Sequence, residues 1–95
     1  MRNYELMLVM DPETDDDRVG AVMDRVRRVI GDQGGEVVRE ENWGRQKLAF
    51  KIGRFTEANY HLAQLHIEPT AAKALENSLN LAEDVMRHML VRQED

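Results

Sequence analysis

The chain has 95 residues and a mass of 11.0 kDa, enough for one hydrophobic core, so the sequence predicts a single domain over residues 1–95. Hydrophobic residues make up 42% of the chain and charged residues 33%, a balance that excludes disordered and collagen-like proteins. The lack of cysteine excludes disulfides, thiolate catalysis and Cys-based zinc sites, and it favours a cytoplasmic location. No apolar run approaches the roughly 20 residues that span a bilayer, and residues 1–10 lack the features of a signal peptide. We therefore expect no export and no membrane partner.

The formal net charge of −5 argues at first against a nucleic-acid partner, because phosphate binding usually requires a basic excess. Most of this excess negative charge lies in one segment. Residues Asp11–Arg18 carry five acidic side chains and one arginine, whereas Glu36–Arg54 carry five basic and three acidic ones. The sequence therefore predicts one end of the molecule that attracts phosphate and another end that repels it.

The first third of the chain predicts a strand and a helix. Arg2–Met10 is apolar on both faces at its centre, which is typical of a central strand. Asp11-Pro12 ends it, and Thr14 is predicted to cap a helix with Asp15–Asp17 in its first turn, where carboxylates are favourable. Gly34-Gly35 is predicted to end that helix. The apolar stripe of the helix consists of Val19, Val22, Met23, Val26, Val29 and Ile30.

The rest of the chain predicts three more strands and a second helix. Residues 36–52 are extended, with an interruption at Trp43-Gly44 that is either a hairpin turn or a bulge in one long edge strand. Residues 53–58 are predicted as a loop, and Asn59–Glu68 as a strand that Pro69 ends. Thr70 is predicted to cap the second helix, and Val85–Arg92 to form the last strand. The stripe of the second helix consists of Ala72, Leu75, Leu79 and Ala82.

The order strand, helix, strand, strand, helix, strand predicts an α+β protein with the ferredoxin-like split βαβ fold. Its two right-handed crossovers give a four-stranded antiparallel sheet in the order four, one, three, two, with both helices on one face. A hairpin at Gly44 would add a fifth strand, so this fold favours the bulge. Tyr4, Leu6 and Leu8 are then predicted to face the helices. The open face is predicted to carry Met7, Val9, Tyr60, Leu62, Gln64, Arg87 and Met89.

The chain offers little for catalysis. Its only serine is Ser78, on the second helix, so a nucleophilic triad is poorly supplied. His61 and His66 are predicted on opposite faces of one strand, which prevents them from sharing a metal, and His88 stands alone. Gly34-Gly35 lacks the residues of a phosphate-binding loop. We therefore predict no enzymatic activity, no metal site, no cofactor and no small-molecule substrate.

The class of function that remains is recognition of another macromolecule by surface residues. Basic residues near the sheet edges can contact the phosphates and sugars of a folded RNA whose shape supplies specificity. These candidates are Arg2, Arg45, Lys47, Arg87 and Arg92. Trp43 has two open interpretations: it covers the end of the first helix, or it anchors a protein partner near an exposed strand edge.

The sequence resembles the bacterial-type small-subunit ribosomal protein six family. The motif Trp-Gly-Arg-Gln-Lys-Leu-Ala-Phe-Lys-Ile lies within Glu41–Ile52 and follows Gly34–Val37, and Asn59-Tyr60 comes after it. The opening Met1–Glu5 and the segment Leu79–His88 match as well, so the likeness runs from Met1 to about Arg92.

The resemblance implies a ferredoxin-like, non-catalytic protein of the cytoplasmic ribosome. It implies binding to the central domain of small-subunit ribosomal RNA as a heterodimer with small-subunit ribosomal protein eighteen. A basic partner would supply the phosphate attraction that a chain of charge −5 lacks. The RNA contacts carried over are Arg2, Tyr4, Arg45, Lys47, Arg87 and Arg92, and the partner contacts are Trp43, Phe50 and Tyr60. The alternatives are a ferredoxin-like oligomerising or small-molecule regulatory domain and, after it, a small phosphatase.

Overall fold

The structure, a computed structural model, describes residues 1–93, two fewer than the predicted domain. Its elements are β1 (Arg2–Met10), α1 (Asp16–Gly31), β2 (Glu36–Ile52), β3 (Phe55–Ile67), α2 (Pro69–Asn80) and β4 (Val85–Gln93). The sheet order is β2-β3-β1-β4, and every neighbouring pair is antiparallel. The predicted fold and strand order are confirmed. Within residues 1–93, neither helix has the length and apolar character that a membrane crossing requires.

The hydrophobic core lies between the sheet and the two helices. Tyr4, Leu6 and Leu8 of β1 belong to it, as predicted, and the two leucines are fully buried. Burying a leucine side chain contributes about 1.5 to 3 kcal/mol to stability. The helices contribute Val19, Val22, Met23, Val26, Ile30, Ala71, Ala72, Leu75 and Leu79.

Both predicted helix N-caps are wrong. The N-cap of α1 is Asp15, whose Oδ1 accepts from the backbone N–H of Arg18 at 2.9 Å, while Thr14 is buried. Helix α2 begins at Pro69 with Glu68 as a cap that makes no side-chain bond. Proline presets the first helical dihedral angle, so this helix starts without a capping side chain. The Thr70 hydroxyl instead donates to Gln33 Oε1 at 2.8 Å.

Strand β3 begins earlier than predicted. Residues 53–58 are not a loop, because Gly53-Arg54 alone connects Ile52 to Phe55 across a tight hairpin. The last pair between β1 and β3 joins Met10 to Asn59, so the first four residues of β3 pair with β2 only. The hairpin therefore projects past the end of β1.

Strand β2 is continuous and bulged, as the fold argument predicted. Asn42 lies opposite His61 and Gly44 opposite Tyr60, which leaves Trp43 as the extra residue. Gly44 has a φ of 71°, in the left-handed region that glycine adopts without steric penalty. The glycine thus permits a bulge here rather than a turn.

Candidate nucleic-acid and protein interface

The strand register divides the predicted RNA contacts between two ends of the sheet. Arg2 pairs with Ile67 and Arg92 pairs with Tyr4, near the start of β1. Arg87 pairs with Val9, near the end of β1. The five strand positions from Tyr4 to Val9 correspond to about 17 Å. The predicted residues therefore form two separate groups rather than one patch.

A shallow groove of about 180 Å³ lies on the open face of the sheet at the end of β1. It brings together Phe50, Tyr60 and Arg87, which the resemblance had divided between protein and RNA contacts. The Phe50 side chain is 85% exposed and that of Met89, across the groove, is 56% exposed. Arg87 is exposed and has no ion pair within residues 1–93. Exposed aromatic and sulfur-containing side chains beside a free guanidinium are typical of macromolecular interfaces.

Five of the eight groove residues were not predicted as site residues, although Val9 and Met89 among them were predicted on the open face. Leu48 and Ile52 line the groove from the projecting hairpin. Their alternation with Phe50 was visible in the sequence. The alternation alone does not show on which face of the sheet these side chains lie, because the hairpin extends beyond the strands that cover the core.

Arg45 is not a free cation. Its NH2 group donates to Glu13 Oε1 at 2.7 Å and to the carbonyl oxygen of Pro12 at 3.2 Å, and its Nε lies 3.6 Å from Glu57 Oε2. The expectation that the acidic and basic segments lie at opposite ends is therefore wrong. The acidic loop leaves the sheet where β1 ends, and Arg45 lies opposite Asn59 at that same end.

The other predicted RNA contacts differ in accessibility. Lys47, Arg2 and Arg92 are exposed and have no ion pair within residues 1–93. Tyr4, by contrast, is 8% exposed and packs in the core, so its ring offers no surface for base stacking. Tyr4 lies on the helix-facing side of β1, as its strand position predicts.

Trp43 is accessible at the sheet edge. Its side chain is 48% exposed, and β2 has no partner strand on its outer side within residues 1–93. The Trp43 carbonyl accepts from Gln46 Nε2 at 3.0 Å, which braces the bulge from the following residues. Trp43 is thus an exposed aromatic beside an open edge, the setting in which another chain can dock.

The remaining polar groups are used internally. His61 is buried and bonded through both ring nitrogens, to Asn42 and to Glu40, whereas His66 Nδ1 lies 3.0 Å from Asn3 Oδ1 on the other face. Ser78 Oγ accepts from Arg25 Nε at 2.8 Å between the two helices. No group of three or more metal-ligating side chains occurs in the part of the chain that the structure describes.

Known proteins resemble this chain in sequence and in fold. Residues 3–92 match the family model described as ribosomal protein S6. The chain is 36% identical to small ribosomal subunit protein bS6 of Desulforamulus reducens over 93 residues, covering 98% of each chain. It is 40% identical to that of Beutenbergia cavernae over 92 residues, covering 97% of this chain and 96% of the relative. The crystal structure of 30S ribosomal protein S6 from Thermotoga maritima superposes with a TM-score of 0.85 at 24% identity, covering 97% of this chain and 87% of that one.

Proposed function

Because this chain belongs to the ribosomal protein S6 family, we propose that it binds the central domain of small-subunit ribosomal RNA together with small-subunit ribosomal protein eighteen. Membership in the family makes it a structural, non-enzymatic component of the small ribosomal subunit. The observation that carries the finer proposal is the open-face groove, in which exposed Phe50 and Met89 line the same surface as Arg87, a cation with no ion pair within residues 1–93.

The groove suits two partners at once. Phe50 and Met89 expose apolar surface that a protein partner can bury, and burial of apolar area drives most protein association. Arg87 adjoins that surface with a guanidinium that can pair with a phosphate at the boundary of the two partners. A ternary complex of protein, protein and RNA fits this mixture better than RNA alone does.

The charge distribution supports the need for a partner. A protein of net charge −5 gains little from long-range attraction to phosphate. Arg45 is already paired with Glu13 and Glu57, which reduces the local field further. Arg2 and Arg92, which have no ion pair within residues 1–93, lie at the far end of β1, where they can contact RNA that passes both ends of the sheet.

The test is a filter-binding titration of a central-domain RNA fragment over roughly 50 to 200 mM salt, with and without the basic partner protein. We expect weak binding by the chain alone, much tighter binding with the partner, and a steep loss of affinity as the salt concentration rises. Arg87→Ala should weaken the complex, whereas Arg18→Ala, which removes the same charge from an exposed α1 residue, should not. Salt-independent binding, or no binding with the partner present, contradicts the proposal. Self-association without RNA binding would favour an oligomerising domain instead.

A further inference from the structure

A buried histidine lies directly beside the bulge that carries Trp43. The His61 side chain is 6% exposed, and its Nε2 lies 2.9 Å from Glu40 Oε1. Its Nδ1 lies 3.2 Å from Asn42 Nδ2. The second oxygen of Glu40 pairs with Arg27 of α1, so a continuous polar chain links the first helix to the bulge.

The bulge itself decides where the proton of His61 sits. The backbone N–H of Gly44 donates to Asn42 Oδ1 at 2.7 Å, which turns the amide nitrogen of Asn42 toward His61. An amide nitrogen only donates, so His61 Nδ1 must accept and carries no proton. The ring proton is therefore on Nε2, where it is donated to Glu40. Neutral His61 satisfies every member of this chain.

We propose that Asn42 and His61 are positioning residues for Trp43, and that protonation of His61 releases the bulge they hold. A proton on Nδ1 would face the amide hydrogens of Asn42, so two donors would oppose each other. The Glu40 contact does not change, because Nε2 donates in both states. Rotation of the Asn42 amide restores an acceptor for Nδ1–H, but it removes the acceptor of the Gly44 N–H.

The consequence falls on Trp43 because it is the extra residue between Asn42 and Gly44. The bond from the Gly44 backbone N–H to Asn42 Oδ1 spans this residue, so its loss alters the direction in which the indole leaves the strand. As far as Trp43 anchors a protein partner, the inference rests on the proposed function. The coupling between His61 protonation and the bulge does not depend on the proposed function.

The charged surroundings of His61 come from two elements. Glu40 of β2 attracts the ring proton, and Arg27 of α1, which Asp24 also pairs at 3.5 Å, offsets part of that attraction. The residue opposite on β1 is Leu8, which carries no charge. When the His61 ring becomes charged, Asn42 must therefore offer its amide oxygen as an acceptor in place of its amide nitrogen as a donor.

The test follows the free chain by NMR and tryptophan fluorescence from about pH 8 to pH 5, the range in which histidine changes charge. Trp43 is the only tryptophan, so its fluorescence reports the bulge directly. We expect the Gly44 amide signal and the Trp43 fluorescence to change with the same midpoint as the His61 ring signals.

Three variants separate coupling from a merely structural role. In His61→Gln the amide can accept from Asn42 and donate to Glu40, so it should hold the bulge and abolish the pH-dependent change. In Asn42→Asp both oxygens accept, so Gly44 should keep its bond whether His61 is charged or neutral. His66→Gln removes a histidine on the opposite sheet face and should leave the change intact.

Several results would overturn the inference. One is a His61 ring that titrates while the Gly44 and Trp43 signals stay constant, and another is a ring that stays neutral throughout the range in the folded chain. A change that persists in His61→Gln would also overturn it. Because none of these measurements uses RNA or a partner, a failure here is distinguishable from a failure of the proposed function.

Discussion

Arg45 and Arg87 belong to the same predicted set of RNA contacts, but their surroundings predict unequal losses when each is replaced by alanine. Arg87 is exposed and unpaired within residues 1–93. A bonded arginine contact contributes about 1 to 3 kcal/mol to RNA affinity. Arg87→Ala should therefore raise the dissociation constant about 5- to 150-fold.

Arg45 must first give up its partners. Its ion pairs with Glu13 and Glu57 involve half-exposed or exposed side chains, and such pairs contribute about 0.2 to 1 kcal/mol each. Two of them offset about 0.4 to 2 kcal/mol of any RNA contact. We expect Arg45→Ala to weaken binding by that much less than Arg87→Ala, in filter binding at fixed salt with the partner present.

Releasing Arg45 should have the opposite effect. Glu13→Gln removes one of the two ion pairs that hold Arg45 and should tighten RNA binding more than Glu83→Gln does. Glu83 is an exposed turn residue with no ion pair within residues 1–93, so its neutralisation removes the same charge without touching Arg45. If the two glutamine variants behave alike and Arg45→Ala costs as much as Arg87→Ala, the ion pairs do not restrain Arg45 and the reasoning fails.

The remaining predictions concern stability, measured by urea denaturation and thermal unfolding. A Cβ at Gly35 would lie 2.7 Å from Ile67 Cγ2 and 3.0 Å from the Ile30 carbonyl oxygen. Gly35→Ala should therefore lower the free energy of unfolding by about 1 to 3 kcal/mol. Gly20→Ala, at a helix site where a Cβ meets nothing within 4 Å, should stabilise α1. Equal unfolding midpoints for the two variants would refute the crowding at Gly35. A Cβ at Gly44 meets its nearest atom only at 3.9 Å, but the residue has a φ of 71°. Gly44→Ala should therefore lower the free energy of unfolding by about 1 to 2 kcal/mol through backbone strain. An unchanged unfolding midpoint would contradict this. Tyr4→Ala should cost about 3 kcal/mol because it empties a core position; unchanged stability with lost RNA affinity would restore Tyr4 as a direct contact.

The hydrophobic patterns predicted most of the fold. The stripes of α1 and α2 and the limits of β1 and β2 follow from residue spacing, because a segment with one apolar face has to bury it. The element order then determined the sheet order, since right-handed crossovers leave few alternatives. The errors in the fold lay at element ends: the N-caps, the Gly53-Arg54 turn, and Ala82, which was predicted in the stripe of α2 although that helix ends at Asn80. At such ends one or two hydrogen bonds decide between competing local structures.

The candidate site was predicted less completely than the fold. Composition and motif predicted Arg87, Phe50 and Tyr60 as interaction residues, but not that they line one groove. The fate of Arg45 was equally hidden, because Glu13 lies 32 positions away along the chain.

The sequence alone therefore determined which segments are helices and strands, that they form a ferredoxin-like sheet, and that catalysis is poorly supplied. Only the tertiary structure decided which cations are free and which are paired, and which aromatic side chains share a surface. The physical reason is range: periodicity and propensity act over a few residues. Ion pairs and grooves depend instead on the register in which distant strands meet, and a shift of one residue would turn each of these side chains to the other face.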